Sequence, residues 1–368
     1  MVKKVLVVSH EFPPFGGGAG IVAQDIIKKL TDNNLDVTLV TNYIGRKKDA
    51  DYNLIEVKTI PKLRFVNFWL KMKTLNLREY DRIILNDVGA QMVGAIFFNN
   101  ELLKKTIVYL HGSEPENIYL YPNSMFKILK FNEKHTRLLK HCNTIISVSN
   151  YMKDKFINYT ELYELRDKIV TNYIGINEKV FLYDPIDLTV KLGISKEART
   201  LLSVSRIVRD KGYLEMYYIF RELVKGDRNY HWIIIGVGDY KKKLEIMIKD
   251  DNLTSNVHFL GKLDREELRK YYSSVDFFWL LSNYEEALGL VYLEAEFCKT
   301  TVIGRNLGGV KEVIDVGKTG YLIENEKEVL EILRKKPFPQ QENFNDIIDK
   351  FSFEKNTKML CDLLFNRN

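Results

Sequence analysis

The sequence predicts an α/β protein made of two doubly wound parallel-sheet units. Three observations carry the prediction. Short β-rich runs alternate with longer stretches of helical period. The alternation pauses near residue 173 and restarts near residue 198. The glycine-rich and charged loops fall directly after the strand-like runs, where open parallel sheets hold their ligands.

The elements follow in order. VLVVS (5–9) reads as a first buried strand, followed by the glycine-rich loop HEFPPFGGGAG (10–20) and a helical stretch, GIVAQDIIKKLTDNN. VTLVT (37–41), RIILN (82–86), TIVYLHG (106–112) and TIISVS (144–149) read as further strands, with a helical stretch around 125–141. The second series opens with RTLLSVSRI (199–207) and the helical YLEMYYIFRELVK, then HWIIIG (231–236) and KKLEIMIKD. It continues with VHFLG (257–261), REELRKYYSSV, DFFWLLS (276–282), TTVIG (300–304) and GYLI (320–323). Apolar runs of this length, separated by helical periods, imply βαβ units rather than hairpins. The expected domains are 1–172 and 182–345, each Rossmann-like, with a linker at 173–181 and a C-terminal helix at 346–368 returning to the first domain.

Composition narrows the classes of function. The chain has 368 residues, 45% hydrophobic and 28% charged, as in an ordinary soluble globular protein. A net charge of +6 favours an anionic ligand or an anionic membrane surface and gives no footprint for nucleic acid. Cys142, Cys298 and Cys361 have no CxxC spacing, so neither a disulfide framework nor a zinc site is expected. The N-terminal MVKKVLVVSHEF lacks the long apolar stretch and cleavage site of a signal peptide, and no apolar run is long enough to span a bilayer. A cytoplasmic protein is expected.

The loops hold the candidate chemistry. In HEFPPFGGGAG, consecutive glycines let the backbone approach a ligand, and a helix N-terminus follows. Gly18-Ala-Gly20-Ile-Val-Ala23 formally matches the dinucleotide fingerprint, but six residues separate it from the strand, and the second strand ends in Thr41-Asn42 rather than an acid. A flexible loop is the plain alternative. His111 closes another strand, where a histidine serves a ligand hydroxyl or the backbone equally well. Arg206 and Lys211 flank a strand-to-helix turn and can converge on one diphosphate, although a solvated basic turn has the same composition. GVGDY (236–240), containing Gly238, is a second glycine turn without a Walker lysine.

The stretch NYEEALGLVYLEAEF (283–297) places Glu286 before a helix and Glu294 inside it. A metal pair would want His or Asp nearby, and none is adjacent. Glycosidase carboxylates face each other from separate elements, whereas these flank one helix start. The amides of Leu288, Gly289, Leu290 and Val291 would point at an anion, and a carboxylate can accept from a pair of neighbouring hydroxyls. The arrangement suits a phosphate between two polyols, as in a nucleotide-sugar.

With these residues in view, the sequence resembles the retaining, nucleotide-sugar-dependent glycosyltransferases of family four, whose GT-B fold sets two Rossmann-like domains facing across a cleft. Glu286-Ala-Leu-Gly-Leu-Val-Tyr-Leu-Glu294 is similar to the family's E-x7-E motif. PPFGGG resembles its amino-terminal signature, with Gly17 and Gly18 in register, and SVSRIVRDKG its diphosphate-binding turn. VHFLGKLDREEL, GGVKEVI and GKTGYLI match its later signatures. The resemblance implies that Glu294 holds the ribose hydroxyls and Glu286 the transferred sugar. It implies Arg206 and Lys211 on the diphosphate, Gly17, Gly18 and Gly238 near the donor, His111 near the sugar, and Leu263 against the base. It also implies no metal, retention of anomeric configuration, and a leaving diphosphate that helps deprotonate the acceptor. Glu114 stands where Asp is frequent, and no role is assigned to it.

Two segments, 62–78 and 125–141, interleave Lys and Arg with Phe, Trp, Leu and Met. Such stretches lie on anionic lipid or simply bury one face. The lipid reading leads to a glycan or lipid-linked acceptor, as in envelope polysaccharide or lipopolysaccharide assembly, and to a peripheral position on the inner face of the membrane. The competing readings are a nucleotide-sugar epimerase or hydrolase on the same scaffold and a non-catalytic nucleotide-sugar-binding protein. Exchange of label at a sugar carbon without acceptor would favour the epimerase.

Overall fold

The computed structural model describes residues 2–45, 51–60, 63–335 and 344–365. Within the segments named above, Met1 and residues 46–50, 61–62, 336–343 and 366–368 lie outside this set. Backbone contacts divide the chain into two compact units. The first runs to Ile174 and takes back the C-terminal residues from Asn356; the second is Gly175–Lys355.

The first unit is a parallel sheet of seven strands: β1 Lys4–Ser9, β2 Asp36–Asn42, β3 Asn53–Val57, β4 Arg82–Leu85, β5 Thr106–Leu110, β6 Thr144–Ser147 and β7 Ile169–Thr171. Their order is β3-β2-β1-β4-β5-β6-β7. Val7 pairs with Leu39 on one side and Ile84 on the other, so winding reverses between β1 and β4. Val5 to Val8, Leu39, Val40 and Ile83 to Leu85 are buried, as expected of strands covered on both faces.

The second unit is a parallel sheet of six: β8 Arg199–Val204, β9 Tyr230–Ile235, β10 Val257–Gly261, β11 Phe277–Leu280, β12 Thr301–Arg305 and β13 Gly320–Ile323, in the order β10-β9-β8-β11-β12-β13. Its switch point lies between β8 and β11. Trp232 and Trp279 meet edge to face at 5.2 Å in its core, with Phe220 and Tyr213 packed beside them.

The expected class, two Rossmann-like parallel-sheet units, is the one observed. β3 and β7 were not anticipated. β3 is a sheet-edge strand whose side chains are only half buried, and β7 has three residues, so neither carries a strong apolar pattern. The expected single C-terminal helix is two helices, Asn345–Lys350 in the second unit and Phe353–Phe365. The latter is fastened to the first unit, where Arg82 Nε donates to Leu364 O at 2.5 Å and Asn172 Nδ2 to Asn356 O at 3.2 Å.

Candidate active site

Arg206, Lys211, Glu286 and Gly289 lie in the loops after β8 and β11, at the switch point of the second unit, whereas Gly238 follows β9 and Leu263 follows β10. β8 ends at Val204, and the chain turns through Arg206 to the one-turn 3-10 helix Arg209–Lys211. Gly212 then starts the helix Tyr213–Gly226 in a left-handed conformation, φ +76°. A side chain there would force the loops apart, because a Cβ would lie 1.9 Å from Leu281 O, just past β11. The two loops are also tied by Asn283 N donating to Asp210 O at 2.8 Å and by Asn283 Nδ2 donating to Glu215 at 2.9 Å. Gly236 and Gly238 show the same close approach on the other side. Their Cβ atoms would lie 1.9 Å from Ser205 O and 2.1 Å from Ile207 O. The glycine at 238 is therefore demanded by loop packing.

This packing brings Lys211 and Glu286, 75 residues apart, into an ion pair and hydrogen bond between Nζ and Oε1. Both side chains keep some exposure, 14% and 19%, so the pair faces solvent along one side. The Lys211 ammonium also stands 5.7 Å from the centre of the Tyr284 ring. Arg206 is exposed nearby in sequence, at the mouth of the same turn.

Gly289, φ +91°, starts the helix Leu290–Phe297. In that left-handed conformation glycine carries no steric penalty, and its own Cβ would meet the Tyr292 ring at 3.0 Å. The first-turn amides of Leu290 and Val291 have no partner within the helix, and Leu288 is buried behind them. The loop is braced from below: Gly309 N donates to Glu286 O at 2.7 Å, and a Cβ on Gly309 would lie 2.2 Å from Ala287 O. That is a physical reason for the glycines of GGVKEVI. Glu294, one turn into the helix, accepts from Tyr272 Oη at 3.1 Å. Burial pushes the Tyr272 phenol well above its usual range, and the Glu294 charge adds to this, so the hydroxyl stays a donor. Glu296, on the same helix, is fully buried, and burial raises its carboxyl well above the usual range. Leu263 follows β10 and is half buried.

The first unit builds its own site at its switch point. A cavity of about 1040 Å³ opens there, lined by His10, Asn42, Asp87, His111 and Glu114 among aromatic walls that include Phe12, Phe65 and Phe126. Asp87 ends the β4 turn and caps the helix Val88–Phe97, accepting from Ala90 N at 2.8 Å. It also accepts from His10 N at 2.6 Å, Glu11 N at 2.9 Å and His10 Nδ1 at 3.2 Å. Burial alone would raise its carboxyl. The His10 hydrogen bond and charge, with the amides of Glu11 and Ala90, outweigh that and hold it at about 2.

His111 Nε2 meets Asn86 Oδ1 at 3.1 Å. Glu114, left without a role by the sequence, accepts from His111 N at 2.8 Å and Gly112 N at 2.7 Å and so shapes the turn that carries His111. Gly17 N donates to Glu11 at 2.6 Å and starts the helix Gly18–Asp32, while Gly18 faces open space. His10, Asp87, Asn86 and Glu114 were missed as a group. The available signal was the pair Asn86-Asp87 directly after the strand RIILN.

Each of the two basic segments buries part of its apolar face. Phe68 and Met72 of the helix Arg64–Met72 are fully buried, as are Phe131, Leu138 and Leu139 of the helix Phe131–His141. Phe65, Val66, Trp69, Leu75, Met125 and Leu129 are half buried. Leu63, Leu70 and Ile128 are exposed, with Leu120 and Tyr121 exposed just before the second segment, as an apolar fringe. Among the described residues no helix is long and apolar enough to cross a membrane, and no group of three or more His, Cys, Asp or Glu is placed to hold a metal.

Two parallel sheets, each reversing its winding beside an inner strand and each with a polar site at that reversal, are two Rossmann-like units of the kind that hold ligands at their switch points. The model for Glycosyl transferases group 1 matches residues 186–346, and the model for Glycosyltransferase Family 4 matches residues 16–179. The chain belongs to glycosyltransferase family 4. It is 25% identical to the N-acetyl-alpha-D-glucosaminyl L-malate synthase of Bacillus anthracis, over 84% of this chain and 81% of that one. It is 23% identical to the GDP-mannose-dependent monoacylated alpha-(1-6)-phosphatidylinositol monomannoside mannosyltransferase of Corynebacterium glutamicum, over 88% and 85%. Its fold matches the Anabaena protein HepE, crystallised with UDP and glucose, at a TM-score of 0.79 and 20% identity over 98% and 99% of the two chains.

Proposed function

We propose that the chain is a retaining glycosyltransferase that moves a sugar from a nucleotide-diphosphate sugar, linked to UDP or GDP, to a hydroxyl of a lipid-linked glycan or glycolipid. The observation that carries the proposal is the Lys211–Glu286 pair beside the Gly289 helix start, at the switch point of the second sheet. A movable cation, a carboxylate and unpartnered first-turn amides are the groups a sugar diphosphate needs.

Arg206 and Lys211 hold the diphosphate and stabilise the charge it gains as it leaves. Lys211 exchanges its Glu286 partner for a phosphate oxygen, which frees Glu286 to accept from hydroxyls of the transferred sugar. Glu294, kept in place by Tyr272, accepts from the ribose hydroxyls. Gly289, Leu290 and Val291 offer amides to the phosphate, with Leu288 packed beneath. Gly238 and Leu263 border the nucleotide. Gly17, Gly18 and His111, the last held by Asn86, are the first unit's candidate groups for the donor sugar. Cations and helix amides take the place of a metal ion. Acceptor attack on the face that the diphosphate leaves retains the anomeric configuration.

The acceptor reading rests on the cavity of the first unit. Arg64 and Phe65 line one side of it, and Tyr121, Met125 and Phe126 another. These are parts of, or next to, the two basic apolar segments, so an acceptor head entering there would bring its lipid toward the exposed fringe. The relatives named for phosphatidylinositol mannoside and glucosaminyl-malate synthesis agree with a small polyol or hydroxy-acid head group. Thermal stabilisation by a panel of UDP- and GDP-sugars, followed by slow donor hydrolysis, tests the donor reading. Absence of any stabilisation would sink it. Equal flotation with anionic and neutral liposomes would remove the membrane surface.

A further inference from the structure

Lys211 and Glu286 are each other's only ion-pair partners among the described residues. Besides Glu286, the Lys211 ammonium faces the Tyr284 ring. The two side chains are 14% and 19% exposed, so most of the pair is out of water. Both backbones are braced. Gly212, next to Lys211, packs against Leu281 O, 1.9 Å from where a Cβ would stand. Behind Glu286, a Cβ on Gly308 would lie 2.8 Å from Glu286 O and 3.0 Å from Glu286 N. The pair therefore opens by movement of side chains rather than of loops. Arg206 differs: it is exposed and makes no ion pair among the described residues. One cation of the turn is open to an incoming diphosphate, and the other is already held.

We infer that Glu286 is a selectivity element: its pair with Lys211 is a latch that a nucleotide-sugar opens at little cost and a bare nucleoside diphosphate opens at full cost. The site would then favour the donor over the donor's own leaving group. The inference rests on the glycosyltransferase reading and extends it to the competition between substrate and product. A phosphate oxygen that draws Lys211 to itself takes away the one cation paired with Glu286 and brings a second anion near it. A carboxylate can only accept, so one left mostly buried is costly unless other donors replace the ammonium. The hydroxyls of a sugar ring are such donors. A nucleoside diphosphate ends where that ring would begin and supplies none. Once the sugar has been transferred, Glu286 reclaims Lys211, and the diphosphate keeps only Arg206 and the helix amides. The rival arrangement is a bridge, with Lys211 giving some of its three protons to phosphate and one still to Glu286. It would crowd two anions around one ammonium in a mostly buried place, which favours exchange. In a bridge Glu286 would orient Lys211 and aid the diphosphate with or without a sugar. The two arrangements give opposite signs when the Glu286 charge is removed.

Binding calorimetry on the full chain tests this, with wild type compared to Glu286→Gln, which keeps the shape and removes the charge. Glu286→Ala is the second variant, since it leaves no side-chain oxygen to hold Lys211. The first probe is inorganic pyrophosphate, which needs no nucleoside site. Both variants are expected to bind it about tenfold or more tightly than wild type, a gain of about 1.4 kcal/mol that disappears when Lys211→Met is added. Equal or weaker binding in the variants overturns the latch, whatever nucleotide the protein uses, and so does an absence of binding in every form. The second arm sets UDP-glucose, UDP-N-acetylglucosamine and GDP-mannose against UDP and GDP. For the sugar nucleotide that binds wild type, its affinity relative to its own nucleoside diphosphate should fall about tenfold or more in both variants. An unchanged ratio overturns the selectivity. A pyrophosphate gain with no sugar nucleotide bound by wild type sinks the donor reading and the selectivity with it, while the exchange of Lys211 between carboxylate and phosphate stands.

Discussion

Replacing Gly212 by Ala tests whether the switch-point loops of the second unit must touch. The residue sits at φ +76°, where an L side chain costs about 1–2 kcal/mol. The new Cβ would start 1.9 Å from Leu281 O and 2.5 Å from Leu281 C, both backbone atoms just past the end of β11. Nothing there can rotate away, so the β8 and β11 loops must separate, and overpacking of this kind costs about 1–3 kcal/mol. The sum is about 2–5 kcal/mol, to be read as a fall in the urea midpoint at unchanged slope. Separation would also carry Lys211 away from Glu286. A displacement on the order of 1 Å at a positioned group costs about 100-fold in rate, so kcat/KM should drop by about that factor. A Gly212→Ala variant within about 0.5 kcal/mol of wild type and within threefold in kcat/KM would refute this account of the loop contact.

The carboxylates of the helix start should separate kinetically: Glu294→Ala should raise KM for the donor, while Glu286→Ala should lower kcat more than it weakens binding. Equal, negligible effects would remove both assignments. Asp87 is held at about 2, below its unfolded value, so it stabilises the fold above about pH 4, and that contribution is lost as pH falls toward 2. Its size is roughly 2 kcal/mol, and the stability difference between wild type and Asp87→Asn should shrink by about that amount across the window. A difference that does not change with pH would contradict it. Glu296 is the opposite case. Its carboxyl is raised by burial, so the folded state keeps a proton that the unfolded state loses above about pH 4, and stability falls as pH rises from there. Glu296→Met should therefore unfold at higher urea than wild type at pH 8, with the gain shrinking toward pH 4.

Much of the architecture could be read from the chain because buried parallel strands write themselves as apolar runs. VLVVS, TIVYL, HWIII and FFWL need no partner to be recognised, since each is covered on both faces. NLIEV and IVT escaped because an edge strand and a three-residue strand bury too little to leave a pattern. The basic segments could not be resolved from the sequence, since an apolar stripe looks the same whether lipid or a neighbouring helix covers it. In the fold, Phe68 and Leu138 go to the core and Ile128 does not.

The order of elements, the position of each polar loop after a strand and the residue types in those loops were set by the sequence, because all three are local. Which loops meet was decided only in three dimensions. Lys211 reaches Glu286 across 75 residues and His10 reaches Asp87 across 77, because β8 lies beside β11 and β1 beside β4. Strand adjacency comes from how the whole sheet winds, and no window of sequence contains it. The His10 ring stacks on Phe68 of the helix Arg64–Met72, and its Nε2 is buried without a hydrogen bond, a packing that the local sequence does not show.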